Sequence, residues 1–180
     1  MNSLLQQYRK TVIPAMQKEF SIDNVMAVPK IEKVTVNVGV GRIHKDDAAI
    51  ERIAKDIGML AGQKPVLRNA KKSIASFKLR EGAPVGVSVT LRGGRMWDFI
   101  DRLVNIALPR SKDFRGIEQK NVDASGNLNL GIKESSIFPE LNYENSKDIF
   151  SLQITITTTA RTKEQGIALL KNMGFPIKKD

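Results

Sequence analysis

The chain has 180 residues and a formal net charge of +10, with 29 Lys and Arg against 19 Asp and Glu. It contains no cysteine, which excludes disulfide frameworks, thiolate metal sites and cysteine nucleophiles. Neither a signal-peptide pattern nor a run of about 18 apolar residues occurs, so the sequence predicts a cytoplasmic protein without a membrane partner. The basic surplus favours a polyanionic partner, because protein cations release the counterions condensed on nucleic-acid phosphates.

The N-terminal part of the chain predicts a helix followed by a strand. Apolar residues recur at three-to-four spacing from Leu4 to Phe20, which is typical of an amphipathic helix. Pro14 cannot continue regular helical hydrogen bonding, so we expect a break near Ile13. From Lys33 to Gly41, valines alternate strictly with small or polar residues, as in a half-buried strand.

The central part of the chain predicts a second helix, a loop and a second strong strand. Asp46 is a suitable N-cap for the helix, and Gly62 is a suitable terminator. The segment 65–67 can pair as a short strand, and the basic segment 69–82 is predicted to be a loop. Residues 85–92 alternate again, with Val85, Val87, Val89 and Leu91 predicted to face inward.

The C-terminal half continues the mixture of helices and strands. A helix with one apolar face follows Gly93 and should stop at Pro109. The polar segment 110–126 is predicted to be an exposed loop, and segments 126–132 and 152–157 alternate as strands. Thr162 with Gln165 forms a capping box for the last helix.

This order of elements predicts an α+β fold. No linker, repeat or low-complexity tract divides the chain, so we expect a single two-layer domain over residues 1–180, with the loops 69–82 and 110–126 as functional extensions. The sheet should be mixed but mainly antiparallel. Helices should pack on one face, and the other face should remain open for RNA.

The predicted open face is short-chained and polar. In all four alternating segments the outward positions carry Thr, Ser, Asn, Gln and Gly, together with Arg92. A merely solvated face is one interpretation, since antiparallel sheets often have one. The scarcity of long charged side chains instead favours close approach of a large partner's backbone. Because aromatic stacking residues are missing from these positions, recognition by shape and sugar–phosphate contacts predicts folded RNA as the partner.

Positive charge is concentrated in the segment from Gln63 to Arg95, which has eight basic residues and one acid, Glu81. Within it, four cations surround Phe77: Lys71, Lys72, Lys78 and Arg80. One interpretation is a solvated charge run with Phe77 in the core. The other is a flexible arm that grips phosphates and packs its aromatic ring on a nucleotide.

The sequence offers no convincing catalytic, metal or cofactor site. His44 is the sole histidine, and a metal site there would need Asp46 or Asp47, which serve more commonly as helix caps. The Gly39-Val40-Gly41 segment lacks the third glycine of a dinucleotide fingerprint. We therefore predict no catalytic residue, no cofactor and no small-molecule substrate. An RNA-modifying or nucleotide-dependent enzyme with a basic substrate groove is the alternative.

Long motifs in this sequence resemble a known family. IGMLAGQKPVLRNAKKS and SFKLREGAPVGVSVTLRGGRMWDF are similar to the signature region of the bacterial large-ribosomal-subunit L-five family, whose members bind 5S ribosomal RNA. The resemblance continues through VPKIEKVTVNVGVG, ALPRSKDFRG, IFPE and SLQITITTTARTKEQGIALLKNMGFP, so it spans nearly the whole chain. One departure is Arg68, where the family usually has a small hydroxyl residue, which puts a hydroxyl-specific contact there in doubt.

The resemblance implies a non-enzymatic structural protein that helps attach 5S ribosomal RNA in the central protuberance of the large subunit. The family's polar residues facing 5S ribosomal RNA fall on Asn37, Gln63 and Thr90. To these we add three neighbouring basic residues as ribosomal RNA ligands: Lys64, Arg68 and Arg92. The implied partners of this surface are 5S ribosomal RNA and large-subunit ribosomal RNA.

The resemblance also implies two further contacts. The segment 71–82 matches the family arm that reaches the transfer RNA in the peptidyl site (P-site tRNA), with these candidate residues: Lys71, Lys72, Ser73, Ser76, Phe77, Lys78 and Arg80. Segments 110–116 and 134–145 match the region that faces small-subunit protein thirteen across an intersubunit bridge. The candidate residues in the first of these are Arg110, Asp113, Phe114 and Arg115.

Overall fold

A computed structural model describes residues 3–41, 43, 46–77, 79–112, 114–141 and 149–178 of the chain. The helices are α1 (Ser3–Gln7), α2 (Ile13–Phe20), α3 (Asp47–Ala61), α4 (Gly93–Arg102), α5 (Leu108–Arg110) and α6 (Lys163–Asn172). The strands are β1 (Ile31–Gly39), β2 (Val66–Asn69), β3 (Pro84–Leu91), β4 (Leu128–Ile132) and β5 (Leu152–Thr158). His44, Lys78 and Asp113 lie outside the described residues.

The strands form one open five-stranded antiparallel sheet in the order β2-β3-β1-β5-β4. The predicted α+β architecture is confirmed. The short strand expected near 65–67 is present as β2, which pairs antiparallel with β3 and places Leu67 opposite Val87. Within the described ranges, none of the helices combines the length and apolar character needed to span a membrane.

The chain divides into two compact units, each with its own buried residues. The first comprises Met1–Val34, Leu91–Leu130 and Thr155–Asp180, and the second comprises Thr35–Thr90 and Gly131–Ile154. Fully buried side chains of the first unit include Met16, Phe99 and Leu169. Those of the second include Val38, Ile57 and Val87. The single domain over residues 1–180 stays a prediction.

Alternation in the first two strong strands is largely confirmed. Val34, Val36, Val38 and Val40 are each at most 1% exposed. In β3, Val87, Val89 and Leu91 are buried as expected, but Val85 is only half-buried. Ser88, which was predicted to lie on the open face, is only 7% exposed. Its hydroxyl accepts a hydrogen bond from Arg68 of β2, and that longer side chain covers it.

Near Ile13, where the sequence predicts a break, the helix changes type instead of ending, and α2 begins at Ile13. Tyr8–Val12 forms a π-helical segment between α1 and α2, and the Ile13 N–H donates to the Tyr8 carbonyl. The wider turn lets the chain stay helical through Pro14, which lacks an N–H and would crowd a regular helix. Leu103–Ala107 is a second π-helical segment, which lies ahead of Pro109. The helix that starts at Gly93 therefore continues through Pro109 and ends at Arg110.

The predicted helix caps are confirmed. The Asp46 carboxylate accepts a hydrogen bond of 2.9 Å from the Ala49 N–H, and Gly62 ends α3 with a left-handed φ of 65°. Thr162 Oγ1 accepts from the Gln165 N–H at 3.3 Å at the start of α6. These caps fix where α3 and α6 begin, because they satisfy N–H groups that have no partner within the helix.

The expectation of an exposed loop over residues 110–126 is only partly correct. Ile117 and Val122 are buried at 3% and 2% exposure. The Ile117 N–H donates to the Pro176 carbonyl at 2.8 Å, and the Ile117 carbonyl accepts from the Lys178 N–H at 2.9 Å. The C-terminal segment therefore ties the middle of this loop down, and Arg110 and Arg115 remain exposed on its first part.

Candidate nucleic-acid interface

The second compact unit presents an open, polar area of sheet between Gln63 and Thr90. Asn37 on β1 and Thr90 on β3 are exposed, as the alternation predicts. We call the set Asn37, Gln63, Arg68, Gly86 and Thr90 the docking face. Its side chains are short or tied to neighbouring strands, so a partner can approach the backbone closely.

Gln63 is held against β3 by its side chain. It follows the left-handed turn at Gly62, and its Nε2 donates to the Thr90 carbonyl at 2.9 Å. Lys64, the next residue, is exposed. The structure thus brings together Gln63 and Thr90, which the sequence separates by 27 positions.

Arg68 lies across β2 and β3 rather than extending into solvent. Its Nε donates to Ser88 Oγ at 2.8 Å. Beside it, Gly86 is buried: a Cβ there would stand 3.5 Å from the Val38 carbonyl oxygen, 3.6 Å from the Arg68 Cβ and 3.7 Å from Asn37 Oδ1. Alternation predicted outward positions for Gly86 and Ser88, but it did not predict their proximity to Arg68, because that depends on the register between β2 and β3.

Arg92 belongs to the first compact unit and is paired there. Its Nη1 lies 3.1 Å from Glu32 Oε1, and the two side chains are 58% and 45% exposed. An ion pair this open to water contributes about 0–1 kcal/mol. No local pattern indicated this partner, since Glu32 precedes the regular alternation of β1. The role of Arg92 as a ribosomal RNA ligand stays a prediction.

The segment 70–83, which we call the cationic loop, is held by its own backbone. The Ala70 N–H donates to the Ala83 carbonyl at 2.8 Å, and Ile74 and Leu79 exchange hydrogen bonds of 2.9 and 3.1 Å. Ser73 Oγ accepts from the Glu81 N–H at 2.9 Å. The loop therefore continues the β2–β3 pairing as a narrow hairpin with a short helical turn, Ala75–Phe77, at its tip.

Most of the described side chains of the cationic loop are exposed. Phe77 is 72% exposed and Ile74 is 41% exposed, so the interpretation that placed Phe77 in the core is wrong. Lys71, Lys72 and Arg80 are exposed as well, and so are Ser73 and Ser76. An exposed aromatic ring among cations suits contact with a nucleotide.

The residues predicted to face the small subunit are partly described. Arg110 and Arg115 are exposed and Phe114 is half-buried, with its N–H donating to the Ser111 carbonyl at 3.4 Å. Residues 142–148 lie outside the described ranges, as does Asp113. The contact of this region with the small subunit therefore stays a prediction.

The clearly shifted pKa values in the described residues belong to structural contacts in the first unit. Burial raises the pKa of Tyr8. A hydrogen bond and the charge of Lys120 lower the pKa of Glu118. Burial pushes the pKa of Asp123 up, but hydrogen bonds from Asn127 and a neighbouring backbone amide outweigh it and the net shift is downward. Among the described residues, no group of three or more potential ligands is placed to hold a metal ion.

The chain is basic and has an α+β fold. It combines a polar sheet surface, which a partner can approach closely, with a cation-rich hairpin. These features belong to the class of RNA-binding proteins. Two family models match it: "ribosomal L5P family C-terminus" over residues 84–177 and "Ribosomal protein L5" over residues 24–80. The chain therefore belongs to the ribosomal protein L5 family. It is a ribosomal structural protein and not an enzyme, which sets aside the enzymatic alternative.

Curated relatives agree along nearly the whole length. The "Large ribosomal subunit protein uL5" of Solibacter usitatus is 51% identical over 175 residues, covering 97% of both chains. The protein of the same name from Marinomonas sp. is 50% identical over 179 residues, covering 99% of this chain and all of the relative. That of Syntrophomonas wolfei is 48% identical over 178 residues, with the same coverage.

Proposed function

We propose that this chain is a component of the large ribosomal subunit that binds 5S ribosomal RNA on its docking face and helps attach that RNA in the central protuberance. The main supporting observation is the exposed, neutral surface at Asn37 and Thr90, with Gly86 between the side chains of Asn37 and Arg68. Short donors on a flat sheet suit the sugar–phosphate backbone of folded RNA. Family membership supports the same function.

The cationic loop contacts a second RNA, the P-site tRNA. The exposed cations Lys71, Lys72 and Arg80 and the exposed ring of Phe77 support this, because they offer charge and a stacking surface at the end of a hairpin. The hairpin's backbone hydrogen bonds join its two arms. Docking face and loop therefore serve separate RNA partners, which include large-subunit ribosomal RNA.

The exposed Arg110 and Arg115, together with Phe114, contribute to an intersubunit bridge with small-subunit protein thirteen. Exposed arginines beside an aromatic ring suit a protein contact, since Arg and aromatic residues are enriched at interfaces. The protein accordingly works in the cytoplasm, bound to ribosomes.

Introducing a negative charge on the docking face tests the proposal. In Asn37→Glu and Thr90→Glu, a carboxylate would face RNA phosphates, so we expect affinity for a 5S ribosomal RNA transcript to fall by about a hundredfold. Filter binding with the full chain measures this, and melting temperature checks folding. Both positions are exposed, so the fold should survive.

The matched control is Ala48→Glu, which adds the same charge in the exposed first turn of α3, where an acid suits the helix. It should bind the transcript as well as the unmodified chain. Unchanged affinity in folded Asn37→Glu and Thr90→Glu would contradict 5S binding on this face.

A further inference from the structure

We propose that Arg68, Gly86 and Asn37 form a subsite for one RNA phosphodiester, and that Ser88 is the positioning residue that orients the Arg68 guanidinium. The inference rests on the proposed 5S binding of the docking face.

The first argument is how Arg68 is held. Its Nε donates to Ser88 Oγ at 2.8 Å, and Ser88 itself is buried. One edge of the guanidinium is thus fixed by a rigid strand, which leaves the Nη groups to act as a fork. A guanidinium fork matches two oxygens of a phosphate, and its fixed orientation reduces the entropy cost of binding.

The second argument is the position of Gly86 between Arg68 and Asn37. Gly86 pairs with Arg68 across the two strands, so both lie on the same side of the sheet. A Cβ at Gly86 would meet Arg68 and Asn37 atoms at 3.6 and 3.7 Å, which shows that these two side chains border the position from opposite sides. Gly86 is buried between them, and the exposed Asn37 amide can donate a hydrogen bond to a phosphate that Arg68 binds.

A purely structural role for Arg68 and Ser88 predicts a different effect of their substitution. Arg68 could tie the edge strand β2 to β3, in which case its removal would change stability without changing RNA binding. The edge position of β2 makes this a real competitor. The two roles separate in the salt dependence of RNA binding, because only a phosphate contact changes the slope of log affinity against log salt.

The test is a double-mutant cycle in the full chain, with a 5S ribosomal RNA transcript as the probe at several salt concentrations. Arg68→Ser should weaken binding about tenfold, as expected when a charge-assisted hydrogen bond to phosphate is removed, and should reduce the salt slope by about 0.7–0.9. Ser88→Ala should weaken binding several-fold when Arg68 is present and should add nothing to Arg68→Ser. Ser88→Thr, which keeps the hydroxyl, should restore the affinity.

Arg68→Lys tests the subsite even if Arg68→Ser fails to fold. It should fold, because Arg68 is exposed and the positive charge is kept. It should retain the salt slope and still lose affinity, since lysine has no fork. Equal effects of Ser88→Ala with and without Arg68, or an unchanged slope in Arg68→Ser, would overturn the subsite. Thr90→Glu separates the two proposals, because Thr90 lies on the docking face but outside the subsite. If Thr90→Glu weakens binding in the same assay, only this inference fails; if Thr90→Glu also has no effect, the proposed 5S binding fails with it.

Discussion

The docking face and the cationic loop are neighbours in the second compact unit, yet they are held in opposite ways. On the docking face, side chains are tied to strands: Gln63 to the Thr90 carbonyl and Arg68 to Ser88. In the loop, the backbone makes the hydrogen bonds, and Phe77 and the cations extend into solvent. One surface therefore offers side chains held in fixed positions, and the other offers exposed charge.

This difference predicts two kinds of RNA recognition. A surface with fixed, mostly neutral donors should discriminate by shape and respond weakly to salt, because few counterions are released. A surface of exposed lysines and arginines should respond strongly to salt and tolerate many sequences. A mutation that made the docking face respond strongly to salt, or the cationic loop respond weakly, would remove this difference between the two surfaces.

The largest effect is expected from removing charge in the cationic loop. The triple variant Lys71→Gln, Lys72→Gln and Arg80→Gln should weaken tRNA binding by about a hundredfold or more. Its salt slope should fall by about 0.7–0.9 for each cation that no longer meets a phosphate. Titration of tRNA at several salt concentrations measures both. Affinity for 5S ribosomal RNA should change little.

The control removes as many exposed cations elsewhere: Lys18→Gln, Lys163→Gln and Lys171→Gln. It carries the same net charge as the loop variant. Equal reductions of tRNA affinity in the two triple variants would mean that net charge, and not the loop, governs tRNA binding.

A smaller effect is expected from truncating the exposed aromatic ring. Phe77→Ala should cost about 1–3 kcal/mol in tRNA binding if a base stacks on the ring, with no change in melting temperature or salt slope. Phe99→Ala is the contrasting variant: Phe99 is 1% exposed, so its truncation should cost about 3–5 kcal/mol of folding stability. A large drop in the stability of Phe77→Ala would show that the ring packs on the protein.

The smallest effect is expected from adding a methyl group at Gly86 of the docking face. The nearest atoms to a Cβ at Gly86 stand 3.5 Å away or more, so Gly86→Ala should fold without strain. It should nevertheless weaken 5S ribosomal RNA binding several-fold and leave tRNA binding unchanged, because the added methyl would stand between the Arg68 and Asn37 side chains. Gly94→Ala, with open space around its Cβ, is the control in helix α4, away from the sheet face.

Local patterns predicted most of the fold. Alternating valines located β1, and Asp46 and Gly62 located the ends of α3, because each signal depends on a few neighbouring residues. The π-helical segments ahead of Pro14 and Pro109 were missed. A proline shows where regular hydrogen bonding must fail, but the choice between a break and a wider turn depends on packing.

The candidate site was predictable in part for the same reason. Alternation alone placed Asn37 and Thr90 on the open face, whereas Gln63 was predicted only through the family resemblance. The partnership of Arg68 with Ser88 depends on the register between β2 and β3, and that of Arg92 with Glu32 joins residues 60 positions apart. Neither pairing is encoded in a local pattern.

Site-specific photo-crosslinking in intact ribosomes tests the central claim most directly. A photoreactive residue is placed at position 37 or at position 77, and the crosslinked RNA is sequenced. The account predicts 5S ribosomal RNA from position 37 and tRNA from position 77. Recovery of the same RNA from both positions, or of protein alone from position 37, would contradict two separate RNA-binding surfaces.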